Sequence, residues 1–271
     1  MNIGIFDSGI GGLTVFGALR KRYPSAGIVY FGDMARVPYG SKSREAIIRY
    51  SQQNATFLVQ QNIDLLIVAC NTSSAWALDM LRENFRLPIV DVIQPGTRKA
   101  VEVSRNKKIG VIGTEATIKS GAYEQAIHKI EPRSKVISCP TPLLVPLVEE
   151  NWISHQVTKK ILIEYLTPLL EQQIDTLVLG CTHYPLLKDT IQQVVGNNVT
   201  LVDSAEAITN EIHPLIESQA SAQTGHYKFF VSDNPQKFRE FASHILGLTI
   251  QDKDIELVYF AEGWIRKIHQ L

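Results

Sequence analysis

Short runs of apolar residues alternate with longer amphipathic stretches along nearly the whole of this chain. The runs at 3–6, 28–31, 65–69, 89–92, 108–112, 136–139, 176–179 and 199–202 have the length and β-branched content of buried strands. Helical spacing of apolar positions fills the intervals, most clearly over 43–60, 73–85, 155–171 and 186–195. Ser43 and Ser73 are the expected N-caps of two of these helices, and Pro88 stops the helix before it. Strands alternating with helices in this way predict βαβ units and parallel sheets. A last pair of apolar runs, at 227–231 and 255–260 with a helix between, is left over. The simplest place for it is against the first half of the chain, where a sheet edge would otherwise stand open.

Aligning the two sets of strands exposes an internal repeat. Ile3-Gly4-Ile5-Phe6 matches Ile109-Gly110-Val111-Ile112 at an offset of 109 − 3 = 106. The strands at Ile28 and Val136 differ by 136 − 28 = 108, and Cys70 and Cys181 by 181 − 70 = 111. A βαβ rhythm alone makes any two such stretches look alike. Three landmarks in the same order at a nearly constant offset nevertheless predict two similar α/β lobes. The expected fold is a pair of flavodoxin-like parallel-sheet lobes with the site in the cleft between them. The expected division is 1–95 with 208–271 for the first lobe, closed by the C-terminal tail, and 96–207 for the second.

The repeat gives the cysteines their meaning. Leu65-Leu66-Ile67-Val68-Ala69-Cys70-Asn71-Thr72 and Thr176-Leu177-Val178-Leu179-Gly180-Cys181-Thr182-His183 each end an apolar strand in a thiol followed by small polar residues. Open α/β sheets place ligands just past the carboxyl ends of their strands. A thiol near helix amides has its thiolate favoured, which moves its pKa from about 8.5 toward neutrality. His183, two residues after Cys181, could shuttle a proton there. A lone strand cysteine is usually an inert small hydrophobe, and Cys139 fits that description. The paired context of Cys70 and Cys181 points to function instead.

Two glycine-bearing loops share the same rim. Asp7-Ser8-Gly9-Ile10-Gly11-Gly12 follows the first strand and opens a helix whose free N–H groups would hold an anion, either a phosphate or a carboxylate. Neither dinucleotide nor P-loop spacing is met, so a nucleotide is the weaker reading, and a plain structural turn is the bland one. In Asp33-Met34-Ala35-Arg36-Val37-Pro38-Tyr39-Gly40, Pro38 and Gly40 would hold Tyr39 rigidly at the strand ends. Glu149-Glu150 is either a solvated pair or one carboxylate aimed at the cleft. His128, His155, His213, His226, His244 and His269 are scattered and read as surface residues, with no spacing that calls for a metal.

Composition narrows the rest. A chain of 271 residues, 45% hydrophobic and 20% charged, can bury a full core, and its length fits one large domain or two smaller ones. Lys+Arg and Asp+Glu balance at 27 each, so no basic field recruits nucleic acid or an anionic membrane. No apolar run approaches the roughly 18 residues needed to span a bilayer, and the first residues do not read as a signal peptide. Three cysteines without a CxxC pair fit reduced thiols in the cytoplasm rather than a disulfide framework. Two thiols facing one small molecule from opposite sides suit removal of a proton beside a carboxylate and its return on the other face.

These residues together carry a family resemblance. Residues 7–15 (DSGIGGLTV), 31–43 (FGDMARVPYGSKS), 70–72 (CNT), 111–120 (VIGTEATIKS), 180–187 (GCTHYPLL) and 229–234 (FFVSDN) resemble bacterial glutamate racemases across essentially the whole chain. The resemblance implies an enzyme without cofactor or metal that interconverts L- and D-glutamate to supply D-glutamate for peptidoglycan. It implies that Cys70 deprotonates D-glutamate and Cys181 L-glutamate. Asp7 would assist Cys70 and meet the substrate ammonium, while Glu149 and His183 assist Cys181. Ser8, Pro38, Tyr39, Gly40, Asn71, Thr72, Thr114, Thr117 and Thr182 match substrate-binding positions, together with Asp7 and His183. A homodimer is also implied. Met34 and Asn151 depart from the family's usual residues at peripheral positions. The chain starts almost directly on its first strand, without the extension of members that answer a peptidoglycan-precursor activator, which puts activator dependence in question.

Three rival readings fit the same residues. An aspartate or hydantoin racemase of the same superfamily would share the paired cysteines. A cysteine hydrolase would use Cys181 and His183 alone. A non-catalytic acid-binding module would bind its ligand without exchanging a hydrogen.

Overall fold

Strand β1, Asn2–Asp7, is buried at every position after Asn2, as a strand covered on both faces must be. The computed structural model describes residues 1–217, 225–261 and 264–267; His269 lies outside them. Beside β1 stand β2 (Gly27–Gly32), β3 (Leu65–Val68) and β4 (Ile89–Asp91), all parallel. The second set is β5 (Lys108–Gly113), β6 (Lys135–Pro140), β7 (Thr176–Gly180) and β8 (Thr200–Asp203), also parallel. The tail supplies β9 (Tyr227–Val231), β10 (Ile255–Ala261) and β11 (Trp264–Lys267). One sheet runs β11-β10-β9-β2-β1-β3-β4 and the other β6-β5-β7-β8.

The repeat is real at the level of topology. β2-β1-β3-β4 and β6-β5-β7-β8 follow the same spatial order, the flavodoxin-like one. Register agrees too, with Ile3 between Ile28 and Leu65, and Ile109 between Val136 and Thr176. The expected pair of α/β lobes is therefore observed. In the tail, β9 lies parallel to β2 from Ile28↔Tyr227 to Gly32↔Val231, occupying the edge of the four-stranded repeat.

Helices cover both faces of each sheet. They are α1 (Leu13–Arg22), α2 (Arg44–Val59), α3 (Asn71–Asn84), α4 (Ile93–Val103), α5 (Glu115–Lys119), α6 (Ala122–Ile130), α7 (Leu144–Glu149), α8 (Gln156–Glu171), α9 (Lys188–Val195), α10 (Ser204–Glu211), α11 (His213–Glu217) and α12 (Pro235–Leu246). On one face of the first sheet, Phe16 and Leu19 of α1 pack with Ile208 of α10 and Phe238 of α12. On the other, Phe57 of α2 and Leu81 of α3 meet Phe6, Phe31 and Val68. In the second sheet, Leu162 and Leu166 of α8 cover one side, and Ile93 and Ala100 of α4 with Ile127 of α6 cover the other.

The caps divide the expectations. Ser43 caps α2 as expected, accepting from the Ala46 N–H at 3.3 Å. Ser73 does not cap α3. That helix begins at Asn71, two residues earlier, with Cys70 itself at the cap position, and Ser73 lies buried inside the first turn. The α3 helix ends at Asn84, before Pro88 is reached.

Candidate active site

Every strand that faces the cleft delivers a polar residue at its carboxyl end. β1 ends in Asp7, β3 leads to Cys70, β5 to Thr114 and β7 to Cys181. Asp7 is wholly buried and takes up the anion role expected for a ligand of the glycine loop. Its Oδ2 accepts the Gly9 N–H at 3.0 Å, and the Gly12 N–H also stabilises its charge. The guest of the loop is thus the protein's own carboxylate. Burial still raises the Asp7 pKa, against the opposing pull of His183, Gly12, Gly9 and Thr182.

Cys70 is 4% exposed, and its Sγ stands 3.6 Å from the Ser8 hydroxyl. Burial, then the neighbouring Asp7 charge, pushes its pKa up to about 11. The Ser73 N–H and the Ser8 and Ser73 hydroxyls work in the opposite direction. The expected drop toward neutrality from helix amides is therefore reversed: removing the thiolate from water outweighs the first turn of α3.

Cys181 is 6% exposed and has a different set of neighbours. His183 Nδ1 lies 3.8 Å from its Sγ, and His183 Nε2 lies 2.9 Å from Glu149 Oε1. Burial pulls the His183 pKa down, but Cys181 and Glu149 override it and raise it to about 10. The raised pKa favours the imidazolium, the form in which both ring nitrogens can donate to these partners. Glu149 feels burial as its largest influence, yet His183 and then Lys237 bring its pKa below the usual value. The Lys237 ammonium sits 3.1 Å from Glu149 Oε2. Of the alternatives left open for Glu149-Glu150, the structure selects a cleft-facing Glu149; Glu150 is exposed.

Contacts between the lobes converge on these groups. Thr182 Oγ1 donates to Asp7 Oδ1 at 3.2 Å, and Thr14 Oγ1 to the Thr182 carbonyl at 3.2 Å. Thr72, Thr114 and Thr117 form a triangle of hydroxyls with edges of 2.9, 3.1 and 2.9 Å. Asn71 accepts from the Tyr123 hydroxyl at 2.6 Å. Two glycines allow the close approach. A Cβ on Gly11 would stand 2.5 Å from His183 Nδ1, and one on Gly40 would be 2.6 Å from Thr114 Cγ2.

Tyr39 is placed differently from its neighbours in the cleft. Its hydroxyl is buried, donates to Asp33 and accepts from Asn54 Nδ2 at 3.0 Å. Asp33 also accepts from Arg36 Nε at 2.6 Å and from the Ser232 hydroxyl at 3.0 Å. The Tyr39 side chain thus anchors the loop, which follows a cis peptide bond at Pro38, and Gly40 is the part that meets Thr114. Sequence reasoning singled out neither Ser232 as the tail's hold on this loop nor Lys237 as a partner of Glu149. The run FFVSDN at 229–234 was the available signal for Ser232; Lys237 had none.

Comparison with known proteins finds relatives along most of the chain. The sequence model described as Asp/Glu/Hydantoin racemase matches residues 15–212. A glutamate racemase of Geobacter metallireducens is 47% identical over 254 residues, spanning 92% of this chain and 94% of that protein. A glutamate racemase isoform of Bacillus anthracis superposes with a TM-score of 0.90 at 37% identity, covering 94% of this chain and 96% of that one. The glutamate racemase of Francisella tularensis, solved with D-glutamate, gives 0.88 at 38% identity, covering 95% and 97%.

Proposed function

The chain belongs to the Asp/Glu/hydantoin racemase family, and on that premise we propose that Cys70 and Cys181 are the paired acid and base of a glutamate racemase reaction. The reaction interconverts L- and D-glutamate without a cofactor and supplies D-glutamate for peptidoglycan. The observation that best supports the two-thiol reading is topological. Cys70 and Cys181 follow equivalent strands of two sheets with the same order, and the loops around them touch across one cleft.

In the L-to-D direction, Cys181 as thiolate takes the α-hydrogen as a proton. An S–H bond forms while the C–H electron pair moves toward the substrate carboxylate. The Cys70 thiol gives its proton to the opposite face of Cα and is left as thiolate. The D-to-L direction runs the same steps backward, so each thiol is acid once and base once. The elevated Cys70 pKa of about 11 keeps it a thiol in the ligand-free protein, ready to donate. Asp7 is the partner for the substrate ammonium, and Ser8, Asn71, Thr72, Thr114, Thr117, Thr182 and the backbone at Pro38–Gly40 hold its carboxylates. His183 and Glu149 support proton traffic at Cys181.

Deuterium incorporation tests the proposal. Each glutamate enantiomer is incubated in D2O in buffer without pyridoxal phosphate or metal. Deuterium should appear at Cα, mainly in the product enantiomer, because the two acids are distinct groups. No incorporation from either enantiomer rejects the reading, and exchange of aspartate but not glutamate replaces the substrate.

The division into lobes proposed here is 1–95 with 208–271, and 96–207, with its seams inside α4 and α10. Among the described residues no helix is long and apolar enough to cross a membrane. The free cysteines support a reducing, cytoplasmic setting. For assembly the family supports a homodimer, which sedimentation at one protomer's mass would exclude.

A further inference from the structure

We propose that Lys237 is a positioning residue for the Cys181 half-reaction, acting from the tail helix through Glu149 and His183; the inference rests on the racemase reading above. Four groups stand in line: Lys237 Nζ at 3.1 Å from Glu149 Oε2, Glu149 Oε1 at 2.9 Å from His183 Nε2, and His183 Nδ1 at 3.8 Å from Cys181 Sγ. The carboxylate thus has one oxygen for each cation. With Oε2 engaged by Lys237, Oε1 is directed at the imidazole. That fixes both the ring plane and which nitrogen meets the thiol.

Placement of the lysine goes against local preference. It sits in the first turn of α12, after Asn234 at the cap and Pro235, where the helix dipole disfavours a cation and no acidic residue compensates. Only about a third of its side chain is exposed, and Glu149 is 12% exposed. A cation set at the wrong end of a helix, and pointed at a half-reaction's carboxylate, is a local rule broken for a partner outside the helix.

The pair also joins parts of the chain that belong to different hydrophobic cores. Phe238, the next residue, packs into the first lobe's core with Phe16 and Phe229, whereas Val148, beside Glu149, packs into the second lobe's core. Glu149 Oε1 also lies 3.6 Å from where a Cβ on Gly9 would stand, so the glycine loop closes over the same carboxylate. Lys237 therefore sets Glu149 relative to the first lobe, on which Cys70 is carried. Its work is to keep the two thiols in register across the cleft.

Kinetics of Lys237→Met and Lys237→Arg, beside the unaltered protein, provide the test. Because the enantiomers have equal free energy, kcat/KM must fall equally in both directions, by about 10- to 100-fold in Lys237→Met for a misplaced group. The diagnostic is the primary isotope effect on kcat/KM. It should rise with α-deuterated L-glutamate, whose proton Cys181 removes, and fall with α-deuterated D-glutamate. Lys237→Arg should restore most of the rate and the original isotope effects. Equal isotope effects in Lys237→Met and the unaltered protein would overturn the inference, even if the rate drops through lost stability. If the unaltered protein exchanges no glutamate hydrogen, the racemase reading itself fails, and the inference with it.

Discussion

Thr182 donates its hydroxyl to Asp7 Oδ1 at 3.2 Å, so the residue beside one thiol is bonded to the carboxylate that faces the other. The same Asp7 raises the Cys70 pKa and lies within the electrostatic reach of His183. The two half-sites are not independent acids on opposite walls. They share a buried carboxylate whose charge each one feels.

Replacing either thiol by a hydroxyl should end turnover. Cys70→Ser and Cys181→Ser are each expected to lower racemisation by about 10³-fold or more, since each removes an acid and a base from the cycle. The check is polarimetric rate measurement in both directions. A nearly silent Cys70→Ser would favour the hydrolase rival, which uses Cys181 and His183 alone.

Gly11 leaves no room for a side chain beside the His183 imidazole. Gly11→Ala places a methyl group 2.5 Å from the present position of His183 Nδ1, and nearer still to the Thr182 hydroxyl. The lobes are then expected to rest ajar, with kcat/KM reduced about 100-fold. Small-angle scattering should show larger dimensions than the unaltered protein under identical conditions. Unchanged dimensions with full activity would mean that the cleft has slack which the contacts do not reveal.

Stability should depend on pH through His183, with a definite sign. Its pKa is about 10 in the folded protein against 6.5 unperturbed, so the proton it holds favours the fold. That contribution is complete below pH 6.5 and is lost as pH rises toward 10. Cys70, raised from 9.0 to about 11, adds a loss of the same sign above pH 9. Urea midpoints of the unaltered protein and His183→Asn should therefore converge between pH 6.5 and 9. A gap that stays constant or widens over that range contradicts the assignment.

Tyr39→Phe separates anchoring from substrate contact. The change leaves Asn54 Nδ2 without the acceptor it has at 3.0 Å and removes one donor to the buried Asp33. A destabilisation of about 1–3 kcal/mol is expected from groups left unsatisfied in the interior. Thermal unfolding measures it, and KM for glutamate should change little. A normal melting curve with a large rise in KM would put the hydroxyl on the substrate instead.

Much of this architecture is legible in the sequence, because its signals are local. Strand ends at Asp7, Cys70, Thr114 and Cys181 follow from short apolar runs punctuated by small polar residues. The repeat made the two cysteines equivalents. What was not legible depends on distance or on competing energies. Ser73 has the side chain of a cap, but the α3 helix starts earlier, where Cys70 can take the extended cap conformation. The Cys70 thiol sits at helix amides as expected, yet burial wins, and burial is a property of the finished cleft. Lys237 reads as one more solvated lysine on an amphipathic helix until the fold sets it 3.1 Å from Glu149, the last residue of α7.

The order in which the chain is made gives β9 a further significance. β2 and β1 emerge from the ribosome early, and both cysteines are in place long before residue 227 is synthesised. Until Tyr227–Val231 arrives, β2 is the bare flank of a parallel sheet, open to pairing with any other nascent chain. Ser232 and Lys237, which steady the Asp33 loop and Glu149, come with that same late segment. A polypeptide released before this segment is made thus has both thiols but an adhesive margin and no clamp. Sealing of the sheet edge and the holds on Asp33 and Glu149 thus come from one stretch of chain.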